Sequence, residues 1–264
     1  GLREVVYCPG ARTGEVTISK FAETFRPNAF GGCAGVTSVV FEDAELLEYT
    51  DEAGKTVALP DLKLPAAVGA KSHIFGGCKL LTTIVFPARL AELGNNCLKG
   101  NTSAGDEFLP ESITFANGCK LKNIGDNAFA STARLINMVL PKNVESVGAT
   151  PFSGSGITSL TVSEKMSPDD ILKAISGAKN LTDIKVPENN DSVVIEDGIM
   201  YAAEKIKIKD GETETEVNAR RIVYCYPDVN FENLVIPADV YRIESGVFKN
   251  KTVKGLMFAK PVEG

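Results

Sequence analysis

"IFGGCKLLTTIVFP" occupies residues 74–87, and "AFGGCAGVTSVVF" (29–41) and "AFASTARLINMVLP" (128–141) repeat its pattern. With Phe75 as origin, Cys78 stands at +3, Leu81 at +6, Ile84 at +9, Phe86 at +11 and Pro87 at +12. Phe30, Cys33, Val36, Val39 and Phe41 occupy the same offsets, and Phe129, Leu135, Met138, Leu140 and Pro141 keep all but the second. "PFSGSGITSLTVS" from Pro151 and "VFKNKTVKGLMFA" from Val247 are copies one residue shorter, and "ISGAKNLTDIKVP" (175–187) is a degenerate copy with Ala178 in the cysteine position.

A second pattern connects these copies. "PARLAELGNNCL" (87–98), "PKNVESVGATPF" (141–152) and "PADVYRIESGVF" (237–248) read Pro, then apolar at +3, +6 and +11. The origins 75 and 98, 129 and 152, and 152 and 175 are each 23 residues apart. The step from 30 to 75 spans 45, which reads as two units with a worn copy between them. The step from 98 to 129 spans 31, one unit with an insertion of eight. A period of this size is that of a solenoid of the leucine-rich type, whose units run roughly 20–29 residues.

The spacing states what each segment does. In L-x-x-I-x-L-P the last two apolar residues lie two apart, as a strand with one inward face requires. The proline removes a ladder donor and turns the chain. V-x-x-I-G-x-x-A-F returns along the other side, its glycine allowing a tight bend. One loop cannot bury its apolar side alone, so the units stack and their Phe, Leu and Ile columns merge into a shared core.

The combined pattern I-G-x-x-A-F-x-x-C-x-x-L-x-x-I-x-L-P resembles the BspA-like (Treponema pallidum type) leucine-rich repeat family of bacterial surface proteins. "LGNNCLKG" (93–100), "IGDNAFAS" (124–131), "IFGGCKLLTTIVFP" and "LTDIKVP" (181–187) carry the resemblance. "DGIMY" (197–201) and "RIVYCYP" (221–227) look like the hairpin that interrupts such repeats, with "KIKIKDGETETEVNAR" as its charged tip, and "VVYCPG" (5–10) matches the hairpin's second half. The pattern is worn at 42–65 and 99–122. The fold expected is a strand-rich α/β repeat: a right-handed leucine-rich-repeat solenoid with a curved parallel sheet, short helical turns and an inserted β-hairpin.

The chain then reads as one solenoid over 1–264, with N-terminal capping strands (1–20), stacked repeats (21–190), an inserted hairpin (191–227) and a final repeat (228–264). "VVYCPGARTGEVTI" is expected to form a capping strand pair, and 42–65 a divergent unit with a hairpin around Glu52–Gly54. The best helix candidate is "SPDDILKAISGA" (167–178), where Ser167 can cap, Pro168 suits the first turn, and Asp169 and Asp170 suit the positive end of the dipole.

Composition narrows the function. Hydrophobic residues at 44% and charged residues at 23% describe a folded, soluble chain. The 28 basic and 34 acidic residues give a net charge of −6, which argues against nucleic-acid binding, since that rests on clustered Lys and Arg. No apolar run approaches the roughly 20 residues of a membrane-spanning helix. The chain begins at Gly1 with neither an initiator Met nor a signal sequence, so Gly1 reads as a cloning scar with any export signal trimmed away, which leaves the compartment open.

Catalytic chemistry finds little to stand on. The single histidine, His73, has no Cys or Asp at a matching spacing and reads as a bend residue. The acids in "AGDE" (104–107) and "SPDD" (167–170) read as solvated loops. No G-x-S-x-G, H-E-x-x-H, Walker or dinucleotide glycine pattern occurs. The six cysteines lack C-x-x-C spacing, which argues against a metal site, and each reads as a small buried filler, so no disulfide is expected. Asn101, at +3 from Leu98, is placed to hydrogen-bond backbone between turns. The sequons at Asn101, Asn180 and Asn250 and the "DSV" (191–193) resembling a bacterial O-glycan acceptor are short enough to arise by chance.

No catalytic residue, metal or cofactor is therefore assigned. The candidate surface is the outward face of the strands. Ser38, Thr83, Asn137, Ser159, Asp183 and Gly255 form one column, and Val40, Val85, Val139, Thr161, Lys185 and Met257 the next. From these, Thr83, Val85, Asn137, Val139, Ser159, Thr161, Asp183 and Lys185 are the interaction candidates, because contiguous apolar exposure is uncommon on a monomer. The family resemblance implies bacterial surface display and adhesion. The expected function is a non-catalytic, exported interaction module, monomeric, binding a protein or host-surface ligand through the curved sheet or hairpin tip. The alternative is glycan binding in a surface nutrient-capture system, although the chain has no Trp, the commonest platform for stacking sugars.

Overall fold

The structure is a computed structural model that describes residues 3–68, 73–102, 108–210 and 212–260. It contains two compact units, Gly1–Pro187 and Glu188–Gly264.

In the first unit the chain enters through β1 (Glu4–Val5), β2 (Thr13–Ile18), β3 (Thr24–Phe25) and β4 (Gly35–Phe41). A short hairpin of β5 (Glu48–Thr50) and β6 (Thr56–Ala58) follows, then β7 (Leu62–Leu64), β8 (Thr83–Phe86), β9 (Leu90–Leu93) and β10 (Ser112–Phe115). The remaining strands are β11 (Asn123–Ile124), β12 (Asn137–Val139), β13 (Ser146–Val147) and β14 (Ser159–Thr161), before helix α1 (Pro168–Ile175) and β15 (Asp183–Lys185).

Each coil contributes one strand to either side of the stack. One side is a single ladder in the order β1-β3-β7-β9-β11-β13, and its pairs are parallel. The other side carries the L-x-x-I-x-L strands, with β2, β4, β8 and β10 in one sheet and β12, β14 and β15 in another. In-register pairing piles like residues together: Val39 on Ile84 on Ile113, and Met138 on Leu160 on Ile184. Phe30, Phe75, Leu98, Phe129 and Phe152 are all fully buried, with ring centroids 5.1 Å apart for Phe30–Phe75 and for Phe129–Phe152. The solenoid core anticipated from the period is present.

Several local expectations are corrected. The 45-residue step from Phe30 to Phe75 holds no worn copy: Ser38 pairs directly with Thr83, and Phe30 packs against Phe75. The step is one coil, lengthened by the β5–β6 hairpin, whose turn does fall at Glu52–Gly54. The shorter insertion after Leu98 folds back through an Asn101–Phe108 bridge and stacks Phe108 on Phe75, centroids 5.6 Å apart. β1 and β2 are not a capping pair, since each extends a different parallel sheet.

Helix α1 replaces a strand in its coil. Ser167 accepts from the Asp170 amide at 3.1 Å, and Pro168 opens the first turn. Burial pushes the Asp170 carboxyl up, but the Ser167 hydroxyl and Lys173 together hold it below the usual range. The "SPDD" acids thus serve the helix start.

The second unit contains β16 (Val193–Glu196), β17 (Ile199–Asp210), β18 (Thr213–Cys225), β19 (Leu234–Ile236), β20 (Val240–Ile243) and β21 (Leu256–Phe258). β17 and β18 are the long antiparallel hairpin anticipated from "DGIMY" and "RIVYCYP". β16 pairs with β17 and β20 with β18, while β19 and β21 form a separate parallel pair. Ile199, Tyr201, Ile222, Leu234 and Ile236 make its core.

Candidate functional site

The L-x-x-I-x-L side of the first unit should be one sheet, because its coils remain paired on the opposite side. There β9, β11 and β13 form an unbroken ladder. Yet β10 ends one sheet and β12 begins another, so two strand edges face each other without pairing. The split is fastened at both ends. Glu111 and Arg134 form an ion pair at 3.6 Å before the two strands, and the Asn143 side-chain amide donates to the Cys119 carbonyl at 2.9 Å beyond them.

The core filler changes at this point. Phe41, Phe86 and Phe115 stack at centroid distances of 6.0 and 5.7 Å, and Phe108 ties the inserted segment back to Phe75. The next coils fill the equivalent position with Leu140 and Val162. β10 is bound by aromatic contacts to the coil before it, and the coil after it offers an aliphatic neighbour in their place.

A groove of about 630 Å³ occupies the split. Ile113, Phe115, Val139, Leu140 and Val162 give it apolar walls, and Ser112, Thr114, Asn137, Thr161 and Ser163 supply polar atoms. Glu111, Lys142 and Glu164 are the charges that line it. Val139 is 64% exposed, and Ile136, at the position that Thr82 and Thr158 hold in other coils, is 46% exposed. Apolar, strand-edged and polar at its rim, the groove has the character of a recognition surface.

The sequence-derived columns are real but interrupted. Ser38 pairs with Thr83, and Asn137, Ser159 and Asp183 continue in register on the far side of the split. Val40 pairs with Val85, and Val139, Thr161 and Lys185 likewise continue beyond it. Asn137, Val139 and Thr161 line the groove. Thr83, Val85, Ser159, Asp183 and Lys185 flank it on the sheet faces. The Ser159 hydroxyl, donating at 2.8 Å, and Lys185 at 3.1 Å hold the Asp183 carboxyl below the usual carboxylate range. Sequence reading missed the β10 rung, Ser112 and Thr114, which sits at the same register as Thr83 and Val85. "ITF" at 113–115 carries the I-x-L half of the repeat, but Pro110 stands where the leading Leu should be and the insertion displaces the count.

Other polar clusters brace the second unit. Arg220 is held between Asp239 at 2.6 Å and Glu196 at 2.7 Å, and hydrogen bonding to Asp239 raises its pKa further. Arg221 joins Glu204 and Glu244, each at 2.9 Å. The charged hairpin tip pairs Lys205 with Glu216 and Lys207 with Glu214 across its strands. His73 is half-buried in the bend before Phe75, and "AGDE" (104–107) lies outside the described residues. Among the described residues no group of His, Cys, Asp or Glu is placed to hold a metal, and no helix is long and apolar enough to cross a membrane.

Comparison with known proteins gives one family. The BspA-type leucine-rich repeat region matches residues 10–117 and 106–218, in six copies. Nothing among curated protein sequences matches the chain. Of solved structures, a leucine-rich repeat protein from Eubacterium ventriosum is 16% identical, with a TM-score of 0.49, covering 84% of this chain and 47% of its own. The T. pallidum leucine-rich repeat protein is 19% identical, with a TM-score of 0.41 and coverage of 70% and 69%. A leucine-rich cell surface protein from Faecalibacterium prausnitzii is 14% identical, with a TM-score of 0.40 and coverage of 98% and 70%. This chain thus spans about half the length of the first of these.

Proposed function

Because the chain belongs to the BspA-type leucine-rich repeat family, we propose that it is a non-catalytic, exported protein-interaction module of a bacterial surface. The reading places recognition at the groove between β10 and β12 and on the outward columns beside it. One observation carries it: a regular parallel stack opens at a single rung and exposes Val139 there, although the same coils stay paired on the other side. Opening a ladder forfeits backbone hydrogen bonds, and open strand edges beside an apolar face suit an incoming partner. Adhesion to a host protein is the finer reading, resting on the company the family keeps, as in the relative described as a cell surface protein.

The alternative, glycan capture, rests on the polar column of Asn137, Ser159 and Asp183. Two arrays separate the readings. The purified chain is probed against extracellular-matrix and host-surface proteins, and in parallel against a glycan array. Protein hits lost by at least tenfold in Val139→Asp, with an unchanged circular dichroism spectrum, are the expected result. Binding that survives both Val139→Asp and Val85→Asp would place recognition elsewhere, and glycan hits alone would replace the proposal.

A further inference from the structure

Coil register brings two thiols together that the sequence keeps apart. The amide of a spine residue donates to the carbonyl just before the next coil's spine position: Phe30 to Ile74 at 2.9 Å, and Leu98 to Ala128 at 3.0 Å. The Cys8 amide does the same to the Ala29 carbonyl at 2.6 Å, so Cys8 holds the place in its coil that Phe30 holds in the next. The turn cysteines in turn reach back by one coil. The Cys78 Sγ lies 3.2 Å from the Phe30 carbonyl oxygen, and the Cys33 Sγ lies 3.2 Å from the Cys8 carbonyl oxygen. In the first case the spine side chain is a phenyl ring. In the second it is another thiol, and the Cys33 thiol is within hydrogen-bonding reach of it. Both cysteines are buried, Cys33 completely.

We propose that Cys8 and Cys33 form a dithiol pair which a low-molecular-weight disulfide converts to an intramolecular disulfide. The Cys8 thiolate attacks one sulfur of the small disulfide and expels the other as a thiolate, which takes up the proton that Cys8 lost. The Cys33 thiolate then attacks the Cys8 sulfur of the mixed disulfide and expels the second small thiolate, which takes up the proton from Cys33. The protein gives up two electrons and two protons, and the small disulfide is reduced to two thiols. Cys8 attacks first because its neighbours Tyr7, Pro9 and Gly10 are exposed, whereas the Cys33 thiol is sealed in the core and pushed up to about 12 by burial. The two cysteines stand 25 residues apart, so the bond closes a loop of that length and constrains the unfolded chain. The pairing is independent of the groove between β10 and β12.

A thiol count in denaturant reads the result after equilibration with reduced and oxidised glutathione, both for the native chain and for a chain refolded in the same buffer. Six reactive thiols are expected from the fully reduced chain, and two fewer after oxidation. Tryptic mass mapping is expected to join the Cys8 and Cys33 peptides, and dithiothreitol to release them. Cys8→Ser is expected to keep all its remaining thiols through the same treatment, with an unchanged circular dichroism spectrum. Six thiols in both oxidised samples, a bond mapped to Cys33–Cys78 or to any other pair, or the loss of two thiols in Cys8→Ser overturns the proposal.

Discussion

Arg89 is one of the largest fully buried side chains, at 1% exposure. Its guanidinium donates to the carbonyls of Ala22, of Pro60 at 3.1 Å and of Ser19 at 3.4 Å, and it lies 5.9 Å from the centroid of the Phe41 ring. Burial lowers its pKa, with Asp61 and Glu23 acting in the opposite direction. The side chain works as a staple across successive turns, satisfying acceptors that water cannot reach. Arg89→Ala leaves those carbonyls unpaired beside a cavity, and should cost at least about 3 kcal/mol. Arg89→Met fills the volume and should recover part of the loss. Urea denaturation reads both, and an alanine variant within about 1 kcal/mol of the parent would show that the staple carries no weight. A second residue-level rule went unread in the sequence. Two positions before the column residue the backbone is left-handed in coil after coil, at Asn28, Asn96, Asn127, Thr150 and Gly246. Asparagine and glycine tolerate that conformation, which explains three Asn at one place in the repeat.

Among elements, the return segments explain a glycine that sequence reading assigned to the wrong cause. Gly94, Gly125 and Gly148 stand in the I-G-x-x-A-F position, but none has a positive φ. A Cβ on them would lie 2.4 Å from the Ala66 amide nitrogen, 2.5 Å from that of Asn95 and 2.5 Å from that of Asp126. The neighbouring coil's backbone passes where a side chain would be, so the glycine sets the distance between coils. Gly125→Ala should force the β9–β11 side apart and cost about 1–3 kcal/mol, more than the small gain alanine usually brings. A thermal melt in which Gly125→Ala matches or exceeds the parent would contradict this. The hairpin and helix α1 were legible because each depends on nearby residues. The coil spacing at 30–75 was not: a hairpin of inserted residues and a worn repeat unit have similar lengths, and only pairing tells them apart.

For the whole molecule, four of the buried thiols link stability to alkaline pH. Burial, then contact with Cys8, pushes the Cys33 thiol up to about 12, and burial pushes Cys119 up to about 11. Burial also raises Cys97 and Cys225. The unfolded chain gives up these protons near pH 8.5, about where a free thiol titrates. The native state keeps them, so their contribution is full below that pH and is lost as pH climbs toward 11–12. Urea midpoints should therefore fall steadily above about pH 8.5. A thiol reagent should find no reactive cysteine in the native chain and all six in denaturant. Midpoints that stay level up to pH 11 would mean that these thiols are already open to solvent in the native state.

The amino-acid sequence by itself determined the period, the inward columns, the helix start and the hairpin, because each follows from alternation, capping and turn chemistry within a few residues. It also placed Asn137, Val139 and Thr161 on one outward face. Only the tertiary structure decided that this face opens between β10 and β12. That feature depends on how hard each coil grips its neighbours. That grip is a balance of side-chain volumes between segments distant in sequence, and a repeat pattern records that coils stack without recording how closely.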